Sequence, residues 1–263
     1  MFDWRSKLRG RWAAIAVALL LLLPGFFAPH NPMYSVAPSE HPPSLAYPFG
    51  TDMLGRDVFS RVLVGMQRTA LAAAAAAALA LTVGTAVAMI ALASRAIVDD
   101  SIRAFLNALL AIPPLLLALV IITISGAGFL QVTVAAGLAY LAPSAFVVRA
   151  GLLELRARPY VMAARSSGAA PMRLWLVHIL PNITPLIASY GVVIFAYCIL
   201  SNAALQFLGL AGEPGVPDLG AMMSEGRFDM RAAPWAVLAP GMALTMMILL
   251  VNAAAGRAGR SPA

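Results

Sequence analysis

Few side chains in this sequence could act as a nucleophile or a base, and their spacing does not support catalysis. Ser125 and Ser201 fall in or near long apolar segments, where a serine nucleophile would need a histidine or a carboxylate beside it as a base. The cores of those segments contain no aspartate, glutamate, histidine, lysine or arginine. A hydrolase is therefore not indicated, and we expect the chain not to be an enzyme.

The sequence also lacks the residues that bind and cleave a nucleotide. A P-loop needs a lysine directly before a serine or threonine, whereas the only lysine, Lys7, precedes Leu8. Any work driven by ATP must therefore use ATP and Mg²⁺ that are bound by another chain. We expect no cofactor in this one.

Histidine and cysteine, which often bind metals, do not form a metal-binding pattern here. His30 and His41 share a proline-rich segment, while His178 lies far along the chain. Two loop histidines are more often solvated than metal-bound, so we expect no metal site, with metal handling by this pair as the alternative. Cys198 stands alone in an apolar stretch, which excludes a disulfide framework and a cysteine cluster.

The composition predicts a membrane protein. Of the 263 residues, 61% are hydrophobic and only 11% are charged. A single water-soluble core cannot absorb that much apolar surface, whereas a spanning helix needs about 20 apolar residues and exposes its outer face to lipid. Six apolar runs predict an all-α polytopic protein with six transmembrane helices. The runs lie at about 12–28, 69–93, 104–125, 129–148, 180–208 and 234–255.

Three of these runs carry a distinctive feature. The first follows a cluster of basic residues and has the length of a signal-peptide core, but we expect it to be retained as a span rather than cleaved. The second contains a run of alanines, Ala72 to Ala78, which suits close packing between helices better than a lipid-facing position. The third contains Pro113 and Pro114, which predict a kink.

The basic residues predict the orientation of the chain. The net charge is +7, and all but five of the 18 basic residues lie in cytoplasmic segments if the N-terminus is inside. This distribution follows the positive-inside rule, so the basic excess indicates topology rather than binding of nucleic acid. Both termini are expected to be cytoplasmic. The five exceptions are Arg56, Arg61, Arg68, Arg227 and Arg231.

The spans divide the chain into four parts. Residues 1–28 form a cytoplasmic tail and the first transmembrane helix, and residues 29–68 form an external loop. Residues 69–255 form a core of five helices, followed by a short cytoplasmic tail at 256–263. Within the core, the cytoplasmic loop 149–179 mixes five arginines with small residues and is the expected docking surface.

The cytoplasmic loop contains small residues at a characteristic spacing. Residues 160–168 read YVMAARSSG, and residues 178–182 read HILPN. Ala163, Ala164 and Gly168 would leave one side of a short helix almost free of side chains, so that the surface of another protein could approach its backbone. The alternative is an amphipathic connector that rests on the membrane.

This pattern resembles the "EAA loop" of ABC importer membrane subunits, in the version Y-V-E-A-A-R-x-x-G and H-I-L-P-N typical of peptide and nickel permeases. Three further stretches resemble the same family in the same order, at 49–61, 201–210 and 234–252, so that the resemblance covers roughly residues 45 to 255. The first of them reads FGTDMLGRDVFSR. The residues of this external motif are Gly50, Thr51, Asp52, Gly55, Arg56 and Asp57.

The resemblance implies a type I ABC importer permease fold in the bacterial inner membrane. It implies the second permease of a heterodimer with a homologous permease, two cytoplasmic ABC ATPases and an extracytoplasmic solute-binding protein. The cargo would be a peptide, nickel or a metal chelate such as a metallophore. The short helix in the loop would be the coupling helix that sits in a cleft of an ATPase. The implied coupling residues are Met162, Ala163, Ala164, Arg165, Gly168 and Arg173.

The sequence departs from the family pattern at two acidic positions. Met162 replaces the acid of the loop, which removes a possible salt bridge to the ATPase, and Asn202 replaces the acid of the S-E-A-A motif. Polar residues of the fifth predicted span are the candidates for the pathway, although such residues also form hydrogen bonds between helices. These candidates are Ser189, Tyr190, Tyr197, Ser201 and Asn202.

Two other classes of membrane protein are compatible with parts of the sequence. An ion-coupled secondary carrier would work without ATP, but it needs an ionisable residue at membrane depth, and the apolar cores lack one. A non-transporting assembly subunit would tolerate a glutamate in place of Gly168, whereas a coupling helix would not.

Overall fold

The structure is a computed structural model that describes residues 19–210 and 215–258. Within these residues the chain is helical, and the β-type pairing is limited to one bridge between Thr51 and Asp57. The predicted N-terminal tail, the beginning of the first predicted span and most of the C-terminal tail lie outside the described residues. The predicted orientation of the termini is therefore not tested.

The described residues form nine helices of eight or more residues. We number them as α1 Val58–Ala93, α2 Ala96–Leu110, α3 Pro114–Ser125, α4 Phe129–Ala139, α5 Leu141–Arg156, α6 Pro159–Ser166, α7 Leu180–Phe207, α8 Leu219–Gly226 and α9 Trp235–Ala258.

Three helical segments are long and apolar enough to cross a bilayer: α1, α7 with the turns that precede it, and α9. The pairs α2–α3 and α4–α5 meet this criterion only jointly, with bends of 92° and 41°. The described residues therefore contain three spans, or five if each bent pair crosses once. The predicted run 12–28 enters the described part at residue 19, with four helical residues and a 3₁₀ turn at Pro24–Phe27.

The expected kink at Pro113 and Pro114 is a complete break. Pro113 adopts an extended conformation, and α3 begins at Pro114 at an angle of 92° to α2. Two adjacent prolines remove two amide donors and disfavour helical geometry in the residue before each of them. The predicted change of direction is therefore present, as a break between two helices rather than a kink within one. α3 alone, about 18 Å long, is shorter than the hydrocarbon core.

A second break separates α4 from α5 at Tyr140, within the predicted run 129–148. It lies one turn before Pro143, whose missing N–H cannot bond to the carbonyl of Ala139. The helix then continues beyond the predicted run to Arg156, so the predicted cytoplasmic loop begins with the last turns of α5.

Helix α1 is the centre of the packing and contacts α4, α5, α7 and α9. It begins at Val58, well before the span expected from residue 69, and from Ala70 onward its buried residues are all alanine except Gly84. Neighbouring backbones approach this face closely: a Cβ added at Gly137 would lie 2.9 Å from the carbonyl oxygen of Ala76, and one added at Gly84 would lie 2.9 Å from the Cβ of Ser144. The alanine run is therefore a packing surface, as its composition predicts.

Candidate coupling helix, translocation face and external motif

The predicted coupling segment forms a short helix with a glycine at its end. Helix α6 starts with Pro159 in its first turn, where the missing N–H costs no hydrogen bond. It ends at Ser166, and the N–H of Gly168 then bonds to the carbonyl of Arg165 at 3.1 Å. Gly168 has a φ of +80°, a conformation that favours glycine because it has no Cβ. This position therefore requires glycine for the backbone as well as for any close approach.

Ala163 and Gly168 lie on the exposed side of the coupling segment, whereas Ala164 does not, so the predicted open face contains two of the three small residues. Val161 is buried and attaches the helix to the hydrophobic cluster of Leu152, Leu174 and Ile179. Ala163 and Gly168 are exposed, and a Cβ added at Gly168 would meet no atom of the described chain within 4 Å. The described part of the chain thus leaves this surface open to a partner.

The larger candidates of the coupling loop are also on the surface. Met162 is 59% exposed, and Arg165 and Arg173 are exposed as well, while Ala164 is half-buried against the cluster beneath α6. Met162 therefore presents an apolar side chain where the family pattern has an acid. A partner that covers this helix contacts the thioether of Met162 and finds no carboxylate there with which to form a salt bridge.

Arg156 connects the segment after α6 to the end of α1. Its guanidinium donates to the carbonyl oxygen of Leu92 at 3.1 Å and lies 6.0 Å from the centre of the Trp175 ring. A second link joins α5 to α2, where Arg149 donates to Asp99 at 2.5 Å. The coupling segment is thereby linked to the C-terminal end of α1, and α5 to the first turns of α2.

A π-helical turn at Leu174–Ile179 joins the coupling segment to α7. The N–H of Leu180 bonds to the carbonyl of Trp175, five residues earlier, instead of to the residue four earlier. Pro181 and Pro185 follow in α7, and each removes an amide donor from the helix. The link between α6 and the membrane-spanning part of α7 therefore contains a π-helical turn and two positions without an amide donor.

The structure divides the five pathway candidates between two faces of α7. Ser189 and Tyr197 are exposed, and Tyr190 is half-buried. Ser201 and Asn202 are buried on the side that packs within the chain, and Asn202 has no exposed surface. Among the described residues, the side-chain amide atoms of Asn202 have no hydrogen-bond partner.

One aromatic residue on this surface carries no sequence signal of its own. Tyr140, at the break between α4 and α5, stacks against Tyr197 with ring centres 5.9 Å apart and planes inclined by 10°. Its hydroxyl is 2.8 Å from the Oγ of Ser201, so one buried candidate holds Tyr140 in place. Only Pro143, which predicts a break nearby, could have drawn attention to Tyr140.

The external motif folds against α8 of the same chain. Thr51, Asp52, Arg56 and Asp57 are all buried. Asp52 accepts hydrogen bonds from the N–H of Arg56 at 2.9 Å and from its Nε at 2.7 Å, and Arg56 also donates to Glu225 of α8 at 2.9 Å. These polar residues therefore bind each other, while the exposed tip of the motif is Met53 and Leu54.

The two glycines of the motif make its tight turns. Gly50 and Gly55 have φ values of +66° and +71°. A Cβ added at Gly55 would lie 2.2 Å from the carbonyl oxygen of Ala37, and one added at Gly50 would lie 2.6 Å from that of His41. Both positions therefore exclude larger residues.

Asp57 is the N-cap of α1. It accepts hydrogen bonds from the N–H groups of Phe59 at 3.1 Å and Ser60 at 3.2 Å, and from the Ser60 hydroxyl at 2.6 Å. The ring of His30 lies 3.1 Å from the same carboxylate, and that of His41 lies 2.8 Å from the carbonyl of Pro42. No group of three or more metal-binding side chains occurs in the described part of the chain.

Asp218 is a buried carboxyl that the sequence analysis did not single out. It caps α8, where its side chain accepts from the N–H of Gly220 at 3.2 Å. Burial raises its pKa to about 6, although the hydrogen bond from the N–H of Gly220 and the charge of Arg68 act in the opposite direction. The burial of Asp218 could not be predicted from the sequence, because a single aspartate in a loop is usually exposed.

A comparison with protein families matches most of the spanning region. Residues 80–260 match the family described as binding-protein-dependent transport system inner membrane component. The match begins within α1 and includes the coupling segment, α7 and α9. It does not include the external motif at 50–57.

Comparison with curated proteins gives matches over almost the whole chain. The chain is 34% identical over 245 residues to the glutathione transport system permease protein GsiD of Escherichia coli O6:K15:H31 (strain 536 / UPEC), with 91% of this chain and 81% of the relative covered. The protein of the same name from Shigella boydii serotype 4 (strain Sb227) has the same identity and coverage.

Solved structures share the fold. The inward-facing MetNI methionine ABC transporter matches with a TM-score of 0.60 at 18% identity, over 75% of this chain and 94% of that one. An amino acid ABC transporter with histidines matches with a TM-score of 0.60 at 17% identity, over 74% and 91%. At this level of identity the likeness shows the fold alone.

Proposed function

This chain belongs to the family of binding-protein-dependent transport system inner membrane components and is a permease subunit of an ABC importer; we propose that it forms half of a translocation pathway for short peptides. A homologous permease supplies the other half, and two cytoplasmic ATPases dock below. A solute-binding protein delivers the cargo at the external face. Nickel or a metal chelate is the alternative cargo.

The open surface of α6 carries the coupling part of this proposal. Ala163 and Gly168 present almost no side chain to the outside, and nothing in the described chain covers Gly168. The exposed Arg165 and Arg173 place positive charge around this surface, which complements acidic groups of a docked protein. A helix with these features can lie close to the backbone of an ATPase and follow its movement.

The pathway part of the proposal rests on one face of α7. Ser189, Val193, Tyr197 and Leu200 are exposed at helical spacing, whereas Ile194 and Cys198 are buried on the opposite side. The exposed face mixes hydroxyl groups with apolar groups and follows the length of the helix. A second permease set against this face would enclose a partly polar pathway between the two subunits.

The peptide assignment rests on the relatives. They are named glutathione transport system permease proteins, and glutathione is a small peptide. The metal alternative has no further support in the described residues, which contain no cluster of three metal ligands. Mass spectrometry and metal analysis of the purified cognate binding protein test the choice: a bound peptide is expected, and bound nickel would overturn the peptide assignment.

The coupling role is tested with two matched glycine variants. Gly168→Glu adds a long side chain to the docking surface, and we expect it to abolish ATP-driven uptake in vesicles that contain both permeases, the ATPases and the binding protein. Gly126→Glu is the control, because Gly126 also has a positive φ and open space around it but lies between α3 and α4. Normal uptake and ATPase binding by Gly168→Glu would overturn the proposal.

The same vesicles test the two other classes. An ATPase subunit that cannot hydrolyse ATP is expected to stop uptake completely. Uptake that continued under these conditions would identify an ion-coupled carrier instead. If the complex hydrolyses ATP and takes up the cargo equally well with and without this chain, the chain is an assembly subunit.

A further inference from the structure

Tyr140 and Tyr197 form a fixed aromatic pair on the exposed side of the helices. Their rings are almost parallel, with centres 5.9 Å apart, and Tyr140 is held at its hydroxyl by Ser201 at 2.8 Å. Tyr197 remains 51% exposed. One ring is thus anchored within the chain, and the other presents a surface to whatever lies outside.

The position of Tyr197 along α7 argues against lipid as its neighbour. α7 begins at Leu180 and ends at Phe207, which places Tyr197 about 25 Å from one end and about 15 Å from the other. Tyrosines that face lipid concentrate at the membrane interfaces, where the hydroxyl meets water or headgroups. A tyrosine exposed this far into a span needs a polar neighbour, because a hydroxyl without a hydrogen-bond partner in hydrocarbon is costly.

The chemistry around the pair narrows the kind of ligand. Helices α4 and α7 contain no charged residue, so the surface offers aromatic faces and hydroxyl groups but no ion-pairing partner. Aromatic faces stack on flat groups, and phenol hydroxyls form hydrogen bonds with carbonyl and amide groups. A peptide backbone supplies both kinds of group in every amide plane.

From this arrangement we propose that the Tyr140–Tyr197 pair is a binding site in the translocation pathway for the amide planes of a short peptide during its passage. The proposal rests on the proposed function and adds to it the place and chemistry of one cargo contact. Tyr140 positions Tyr197, and Tyr197 touches the cargo.

The test compares variants of Tyr197 in vesicles that contain the complete importer, with reduced glutathione, trialanine and Ni²⁺ supplied separately as probes. Tyr197→Leu removes the ring. We expect peptide uptake to fall about tenfold, which corresponds to the loss of one aromatic contact with the cargo. Tyr197→Phe keeps the ring but loses the hydroxyl that would bond to the peptide, so uptake should fall by a smaller factor of about three. Tyr140→Phe, which loses the bond to Ser201, should have an intermediate effect.

Co-purification of the second permease with each variant shows whether Tyr197 contacts the cargo or packs against the other subunit. Leu249→Ala is the control, because Leu249 is also an exposed apolar residue but lies on α9, outside the α7 face proposed for the pathway. We expect Tyr197→Leu and Leu249→Ala to retain the second permease, with uptake reduced only in the former. Loss of the second permease from Tyr197→Leu would overturn the proposal and identify a packing residue.

The remaining outcomes also decide the proposal. Normal peptide uptake by Tyr197→Leu, or a loss confined to Ni²⁺ uptake, would overturn the peptide site and leave the importer assignment intact. Absence of ATP-dependent uptake of every probe by the wild type would overturn the proposed function and this site together.

Discussion

Arg61 of α1 and Glu225 of α8 pair at 3.1 Å although they lie 164 residues apart in the sequence. Glu225 also accepts from Arg56, so one carboxylate serves two arginines. Arg61 is almost fully buried, and its guanidinium also donates to the carbonyls of Pro32 and Gly215. This network fixes the external motif, the start of α1 and α8 relative to one another.

Glu225→Gln should destabilise the packing between α8, the start of α1 and the external motif. The change leaves two buried arginines with one fewer countercharge, and we expect a loss of roughly 1–3 kcal/mol, below that of a fully buried pair because Glu225 is partly exposed. The midpoint of thermal unfolding in detergent measures this loss. Glu154→Gln is the control, because Glu154 pairs with Arg158 on the surface, and an equal effect of the two variants would contradict the prediction.

Asp57→Ala should loosen the first turn of α1. The change removes the acceptor for the N–H groups of Phe59 and Ser60, and loss of such a cap costs about 1–2 kcal/mol. Hydrogen exchange of these two amides should become faster than in the wild type. Asp57→Asn keeps a side-chain oxygen at the cap and should have a smaller effect; unchanged exchange in Asp57→Ala would show that the cap does not hold this turn.

Asp218 should make the stability of the protein depend on pH. Because burial raises its folded pKa to about 6, the protonated carboxyl favours the folded state, and this contribution is lost as the pH rises from about 4 through 6. The thermal midpoint of the wild type should therefore fall more between pH 5 and pH 7 than that of Asp218→Asn, which keeps an N-cap but cannot ionise. Parallel pH profiles of the two proteins would contradict the raised pKa.

Arg156→Gln should weaken the transmission of movement without preventing docking of the ATPases. Arg156 joins the carbonyl of Leu92 to the ring of Trp175, whereas α6 itself is attached through Val161. We expect normal co-purification of the ATPases and an increase in the ATP hydrolysed per cargo molecule. Arg158→Gln is the control, because Arg158 bonds to the exposed Glu154, and the same increase in both variants would rule out a specific role for Arg156.

The sequence predicted the helical class and the apolar runs because long apolar stretches have few alternatives in a bilayer. The sequence did not predict the angle between α2 and α3 at Pro113. Proline removes amide donors, but the angle depends on the residues against which α2 and α3 each pack. The early start of α1 at Val58 was also missed. This start depends on Asp57 and on a buried arginine at position 61, which hydropathy assigns to a loop.

The part of the candidate site that depends on local backbone conformation could be predicted from the sequence. A short helix ending in glycine is a local pattern, and α6 and Gly168 have the predicted form. The orientation of side chains around α7 is not local, so Ser201 and Asn202 could not be separated from Tyr197 without the packing of the helices. Tyr140 reaches the site only through a tertiary contact.

The alanine-lined face of α1 limits which substitutions this protein can accept. Ala73, Ala76 and Ala80 are completely buried, and the backbones of α4 and α5 lie too close for larger side chains. A larger side chain would force neighbouring helices apart, at a cost of about 1–3 kcal/mol for overpacking. The alanine-lined face therefore has a narrow mutational tolerance, and a random mutagenesis screen should recover glycine or serine there but not valine or leucine.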